Sequence, residues 1–172
     1  MRLYNTLSRS IEEFKPQLPP AVSLYVCGPT VYDIPHIGHA RSAYTFDLLR
    51  HYLTFRGYQV TFVRNVTDVD DKIIDRARAQ KSEAGNQKAD LNVLCKEISE
   101  KYLKNYHDTM DHLGIQRPDI EPKATEHVNT LPKGGFGSMT DLIGKLLTQG
   151  AAYEAGGDVY FAVSFSFLTP SG

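Results

Sequence analysis

Between residues 21 and 64 the apolar positions change period twice. Val22, Leu24 and Val26 alternate with Ser23 and Tyr25, and Gly28-Pro29 closes the run, which predicts a strand over residues 22–28. From residue 38 the spacing turns helical. Ala40, Ala43, Tyr44, Leu48, Tyr52 and Phe55 mark one face, and Phe46, Leu49 and Leu53 widen it, so a helix is expected over 38–56, stopping at Gly57. Pro35 fits just outside its start. Tyr58, Val60 and Phe62 then alternate with Gln59, Thr61 and Val63, giving a second strand up to Arg64. Strand, helix and strand form a βαβ unit with a right-handed crossover. Ligands of such a sheet bind beyond the carboxyl ends of its strands. Cys27-Gly28-Pro29-Thr30 and Asn65-Val66-Thr67-Asp68 both follow strand ends and should face each other across one cleft.

Residues 1–20, with Leu3, Tyr4, Pro16 and Pro19-Pro20, read as an extended arm on the domain edge. A helix is expected from Val69, capped by Thr67 or Asp68, with Ile73, Ile74 and Ala77 inward and Gly85-Asn86 breaking it. Leu91, Leu94, Ile98, Tyr102, Tyr106 and Leu113 predict a longer helix ending at Gly114. Arg117-Pro118 to Glu121-Pro122 read as an extended linker, and a short helix is expected from Ala124 to Val128. Pro132, Gly134, Gly135 and Gly137 interrupt any helix there. Ser138 with Asp141 makes a capping box for a helix through Leu142, Ile143, Leu146 and Leu147 to Gly150. Tyr153-Glu154 and residues 158–163 flank Gly156-Gly157 as a hairpin. The chain thus divides into an α/β part, residues 1–84, and a largely helical part, residues 85–172, ending in a β-hairpin.

Composition narrows the class. The 172 residues are 41% hydrophobic and 23% charged, which suits a globular chain with a core. The net charge of −1 announces no global basic field for nucleic acid. No apolar run approaches a membrane span, and Met1-Arg2-Leu3-Tyr4-Asn5 lacks a signal-peptide core. Two cysteines far apart make no disulfide framework, so the cytosol is the expected compartment.

The chemistry concentrates at His36-Ile37-Gly38-His39, at the mouth of the first long helix. A helix N-terminus presents free N–H groups and partial positive charge, which attract phosphate. Two imidazoles three residues apart add donors, and Gly38 leaves room for a flat ring. The arrangement suits a nucleoside triphosphate and the charge that develops at its phosphorus.

His36-Ile37-Gly38-His39 is the HIGH signature of class I aminoacyl-tRNA synthetases. Cys27-Gly28-Pro29-Thr30-Val31-Tyr32-Asp33 precedes it, and Asn65-Val66-Thr67-Asp68-Val69-Asp70-Asp71-Lys72 follows. With these flanks the chain resembles the N-terminal part of cysteinyl-tRNA synthetases, from about Leu3 to His127 and more weakly to Val163. The resemblance implies an α/β, Rossmann-like nucleotide-binding half followed by the start of a helical insertion. It implies activation of cysteine by ATP, with magnesium, to cysteinyl-adenylate, then transfer to the cysteine tRNA. His36 and His39 would be the catalytic pair. Gly28, Pro29, Thr30, Tyr32 and Asp33 would join His36, Gly38 and His39 around ATP, with Gly38 under the adenine. Cys27, Gly28 and Thr67 would face the amino acid. Cys27 would be a zinc ligand, the others lying outside this chain, and zinc's preference for thiolate would reject serine. The implied complete protein is a cytoplasmic monomer without a membrane partner.

The family's lysine-rich KMSKS loop, later zinc ligands and anticodon-binding region have no match in these residues, and residues 129–138 and 164–172 depart from its pattern. The expectation is a fragment inactive alone. Alternatives are a non-catalytic interaction module, a small HIGH-type nucleotidyltransferase, which would need neither Cys27 nor residues 65–72, and a ligase joining cysteine to an amino sugar through the same adenylate. That last family's loop departs from the Gly-Pro-Thr-Val-Tyr-Asp found here.

Other residues carry weaker signals. Cys95 reads as core, and His51, His107 and His112 as solvated. His127 fits either a cleft wall or a structural cap. Asp68, Asp70 and Asp71 fit a hard-cation site or, with more weight, an acidic first helical turn. Arg64 and Lys72 would pair with them or meet phosphate, and Arg41 reads as a structural partner.

Overall fold

The computed structural model describes residues 1–83, 89–129 and 137–163. The expected break at Gly85-Asn86, the interruption at Pro132, Gly134 and Gly135, and the departures at 164–172 lie outside the described residues. The chain forms two compact units, Met1–Lys123 and Ala124–Gly172. Compactness therefore divides it later than residue 84, because α2 (Asp71–Glu83) and α3 (Leu91–His112), on either side of that point, pack together in the first unit.

In the first unit β3 (Ala21–Val26) and β4 (Gln59–Arg64) pair in parallel, Val26 opposite Arg64, with α1 (Ile37–Phe55) as the crossover. The expected βαβ unit is present. Residues 1–20 are not a plain arm: β1 (Arg2–Asn5) and β2 (Ser10–Glu13) form an antiparallel hairpin. Arg9 turns it at φ 54, in a loop without glycine, which hid the turn.

The linker after Pro118 also differs from expectation. It adds a third, parallel rail along β4, with bridges Val63–Ile120 and Val66–Lys123. The N–H groups of Arg64 and Val66 donate to the carbonyls of Ile120 and Pro122 at 3.1 and 2.9 Å. Proline lacks only a donor, and here Pro122 serves as an acceptor. Arg50 locks this rail, donating to Arg117 O at 2.7 Å and Asp119 Oδ1 at 2.6 Å, while Asp119 Oδ2 accepts the Phe62 N–H at 2.7 Å.

The buried face of α1 is Ala40, Ala43, Asp47, Arg50 and Leu53. The stripe of Tyr44, Leu48, Tyr52 and Phe55 is instead exposed. Small residues win the inner face because they let α3 approach: Ala40 and Ala43 pack on Tyr106, Met110 and Ile115. A second cluster joins Val31 and Val66 to α2 (Asp71–Glu83) and α3 (Leu91–His112) through Ile73, Ala77, Ile98, Tyr102 and Leu103, with half-buried Cys95 against it. The cap of α2 is Asp70, whose Oδ1 accepts the Lys72 N–H at 3.0 Å, rather than Thr67 or Asp68. His107 is not solvated: Nε2 lies 2.8 Å from Glu121 Oε2.

The second unit holds a 3-10 turn (Ala124–His127), α4 (Met139–Thr148) and the hairpin of β5 (Ala152–Ala155) and β6 (Asp158–Phe161). The expected box is formed: Asp141 N–H donates to Ser138 Oγ at 3.2 Å, and Ser138 N–H to Asp141 Oδ2 at 3.1 Å. Gly156 and Gly157 turn the hairpin at φ +63 and +90. No helix among the described residues is long and apolar enough to cross a membrane.

Candidate active site

The site grows from the two adjacent strand ends. Beyond Val26 and Arg64 the chains stay joined: Gly28 N–H donates to Asn65 Oδ1 at 2.8 Å, Thr67 N–H to Pro29 O at 3.1 Å and Val31 N–H to Thr67 O at 3.3 Å. Gly28 is required by space. A Cβ there would stand 1.6 Å from the Asn65 carbonyl oxygen and 3.1 Å from Arg64 Cγ. The two loops thus face each other as expected, held by main chain more than by side chains.

Beside them stands the N-terminus of α1, capped in an unusual way. His36 is the N-cap and His39 the third helical residue, and the two rings make a reciprocal capping box. Gly38 N–H donates to His36 Nδ1 at 3.0 Å, and His36 N–H to His39 Nδ1 at 3.1 Å. Each Nδ1 accepts, so each neutral ring carries its proton on Nε2 and can offer an Nε2–H donor. The rings lie 4.1 Å apart, tilted by 40°. Burial first, and the neighbouring His36 second, hold His39 below the usual histidine range, so its ring is a neutral donor near pH 7.

A cavity of about 400 Å³ opens between these parts, lined by Cys27, Gly28, Pro29, Thr30, His36, Gly38, His39, Ser42, Arg64 and Tyr106. Seven of the expected site residues therefore meet. Three others do not line it. Tyr32 packs on the core cluster with Lys72 Nζ 5.1 Å from its ring centre. Asp33 accepts the Ile34 N–H at 2.8 Å and pairs with Arg76 at 3.2 Å; those contacts, the Ile34 bond foremost, hold its carboxyl below the usual range. Thr67 binds the Pro29–Val31 loop through its main chain. Tyr32, Asp33 and Thr67 thus brace the loop that forms the cavity wall.

Arg64 and Tyr106 line the cavity unforeseen as a pair. Arg64 is not ion-paired to the acidic cluster: it is buried, and Nη1 donates to the Tyr106 hydroxyl at 3.0 Å. Burial pushes the Tyr106 phenol up, so it keeps its proton. The signal in sequence was slight, an arginine in phase with inward-facing Val60 and Phe62.

The matching family model is that of the tRNA synthetases class I (C) catalytic domain, over residues 13–167. The chain belongs to the class I cysteinyl-tRNA synthetase family. It is 47% identical over 163 residues to a cysteine–tRNA ligase of Syntrophobacter fumaroxidans, and 48% identical over 167 residues to one of Thermodesulfovibrio yellowstonii. Each alignment covers 95% of this chain, which spans 29% and 30% of those relatives' lengths. A solved Campylobacter jejuni structure, described as an arginyl-tRNA synthetase, matches with a TM-score of 0.61 at 14% identity, covering 86% of this chain and 38% of that one. That likeness carries the class I synthetase fold and nothing finer.

The family implies a zinc, and the donor set here does not complete one. Cys27 offers one exposed thiol, and among the described residues no group of three or more His, Cys, Asp or Glu could hold a metal ion. Zinc needs at least three protein ligands. The Asp68-Asp70-Asp71 cluster is not gathered as such a group either: Asp70 caps α2 and Asp71 opens it.

Proposed function

We propose that this chain supplies the nucleotide and amino-acid half-site of a longer enzyme that couples cysteine to its tRNA, using ATP as its magnesium complex. In the first step an oxygen of the cysteine carboxylate attacks the α-phosphorus of ATP. A P–O bond forms to that oxygen, and the bond to the β-phosphate oxygen breaks, releasing pyrophosphate and leaving cysteinyl-adenylate. In the second, a terminal ribose hydroxyl of the tRNA attacks the acyl carbon, and AMP leaves as the ester forms. His36 and His39 donate Nε2–H to phosphate oxygens as negative charge shifts among them, and the positive end of the α1 dipole adds to that field. Gly28, Pro29 and Thr30 shape the wall against the substrates, and Gly38 lies beneath the nucleotide. Tyr32, Asp33 and Thr67 act from behind, by fixing the loop. Cys27 faces the thiol side and would lend one thiolate to a zinc completed from elsewhere in the longer, cytoplasmic protein.

The observation that carries this reading is the reciprocal capping of α1 by two histidines whose free nitrogens are both donors, in one cavity with Cys27. Cysteine-dependent ATP–pyrophosphate exchange by the full-length protein tests it. His39→Ala is expected to slow exchange roughly 100- to 1000-fold, as for other preorganised donors. No exchange by the wild type, or near-normal exchange by the variant, would overturn the reading.

A further inference from the structure

Phe62 carries two guanidinium groups, Arg50 at 5.5 Å and Arg64 at 5.1 Å from its ring centre. They are neutralised differently. Arg50 has the Asp119 carboxylate at 2.6 Å. Arg64 is 3% exposed, spends Nη1 on a neutral hydroxyl, and leaves a buried Nη2 with no acceptor among the described residues. No ion pair among the described residues includes Arg64. A hydroxyl and an aromatic face do not offset the burial of a full charge, so an unpaired guanidinium inside a protein calls for an anion.

The cavity supplies the place. Arg64 stands opposite Val26 in the strand register, its stem lies against Gly28, and both it and Tyr106 line the cavity that Cys27 borders. We infer that Arg64 is the carboxylate anchor of this cavity: on substrate binding its guanidinium donates an N–H to a carboxylate oxygen of the amino acid. The inference rests on the cysteine-activation reading above. A carboxylate fits better than a phosphate because the phosphates already have the mouth of α1, with its helix dipole and two imidazoles. The anchor also has a chemical use. It orients the carboxylate that must attack ATP, while Tyr106 and Phe62 hold the guanidinium still.

The test compares cysteine with cysteamine, which keeps the thiol and amine but has no carboxylate, binding each to the full-length protein by calorimetry. In Arg64→Gln, cysteine is expected to bind about 10- to 100-fold more weakly, the range of a charged hydrogen bond, with cysteamine and ATP within about threefold of wild type. Should that variant fail to fold, Arg64→Met with Tyr106→Phe replaces the charge and its partner by apolar groups of similar volume, which interiors accept, and the same cysteine-to-cysteamine ratio decides. Equal weakening of both thiols, an unchanged ratio, or a loss of ATP affinity alone would overturn the anchor. Those results leave the activation reading standing if the wild type still exchanges pyrophosphate. A wild type that binds neither thiol would overturn both.

Discussion

Gly38→Ala separates what the HIGH turn does for stability from what it does for chemistry. A Cβ at residue 38 would lie 2.7 Å from His36 Cε1 and 2.9 Å from His36 Nδ1. Both are atoms of one ring on a rotatable side chain, so relief comes from swinging the ring away. That swing breaks the 3.0 Å bond from Gly38 N–H to His36 Nδ1. It leaves the other half of the box, His36 N–H to His39 Nδ1, in place. Losing half of a cap costs about 1 kcal/mol. Replacing glycine by alanine within a helix returns up to about 1 kcal/mol. The two nearly cancel, so thermal unfolding of the full-length protein should move by no more than a few degrees, at about 2–4 °C per kcal/mol. The His36 donor, however, has left the cavity. Pyrophosphate exchange should fall roughly 100- to 1000-fold, as for outright removal of an oxyanion-type donor. Adding His36→Ala on top should then cost little more, since the two changes act through one ring. Exchange within about threefold of wild type, or a second loss as large as the first, would refute this coupling of Gly38 to His36.

Gly28→Ala should behave oppositely: its Cβ would sit 1.6 Å from a backbone oxygen, which no rotamer relieves, so β3 and β4 must part at their ends. A loss of at least about 2 kcal/mol is expected, read from the denaturant midpoint, and a loss under about 0.5 kcal/mol would refute the packing account. For pH, the sign follows from the lowered His39 value. The unfolded chain then binds more protons than the folded one once pH falls below the ordinary histidine value, so this residue makes stability fall on acidification from about pH 7 to about pH 5. His39→Asn, whose Oδ1 can still accept the His36 N–H, should flatten that slope, and an unchanged slope in thermal unfolding across this range would refute it.

The parts of this fold that were legible are those whose signal is local. Val22, Leu24 and Val26 set one strand face, Val60 and Phe62 the next, and the parallel pair follows from the helix between them. The Ser138–Asp141 box needs only a spacing of three. What escaped depends on partners far along the chain. Periodicity found α1 but chose its apolar stripe as the inner face, whereas Arg50 is inward because Asp119, 69 residues on, awaits it. Residues 117–122 looked like a linker because two prolines discourage a strand. A rail bonded along β4 can spare those donors while its carbonyls accept. Among Thr67, Asp68 and Asp70, all good cap residues, only the backbone path picks Asp70. In the site, the short motif named Cys27, Gly28, His36, Gly38 and His39 together. It could not say that Tyr32 and Asp33 are spent on Lys72 and Arg76.

These long-range contacts form one mechanical train that ends in the cavity. Arg50 on α1 holds Asp119, and Asp119 holds the Phe62 N–H, which sets the 119–123 rail alongside β4. The rail's carbonyls take the N–H groups of Arg64 and Val66, the residues on either side of Asn65. Asn65, so fixed, takes the Gly28 N–H and leaves no space above it for a side chain. The wall between Cys27 and Thr30 is therefore positioned by main-chain bonds together with the Asp119 and Asn65 side chains that bind the main chain. Such a wall needs little reorganisation on binding, the condition under which fixed donors stabilise developing charge most effectively. It also explains why two neighbouring arginines on the same ring have opposite fates. Arg50 is neutralised because its work is structural, and Arg64 stays unpaired at the end of the train, where a substrate can complete it.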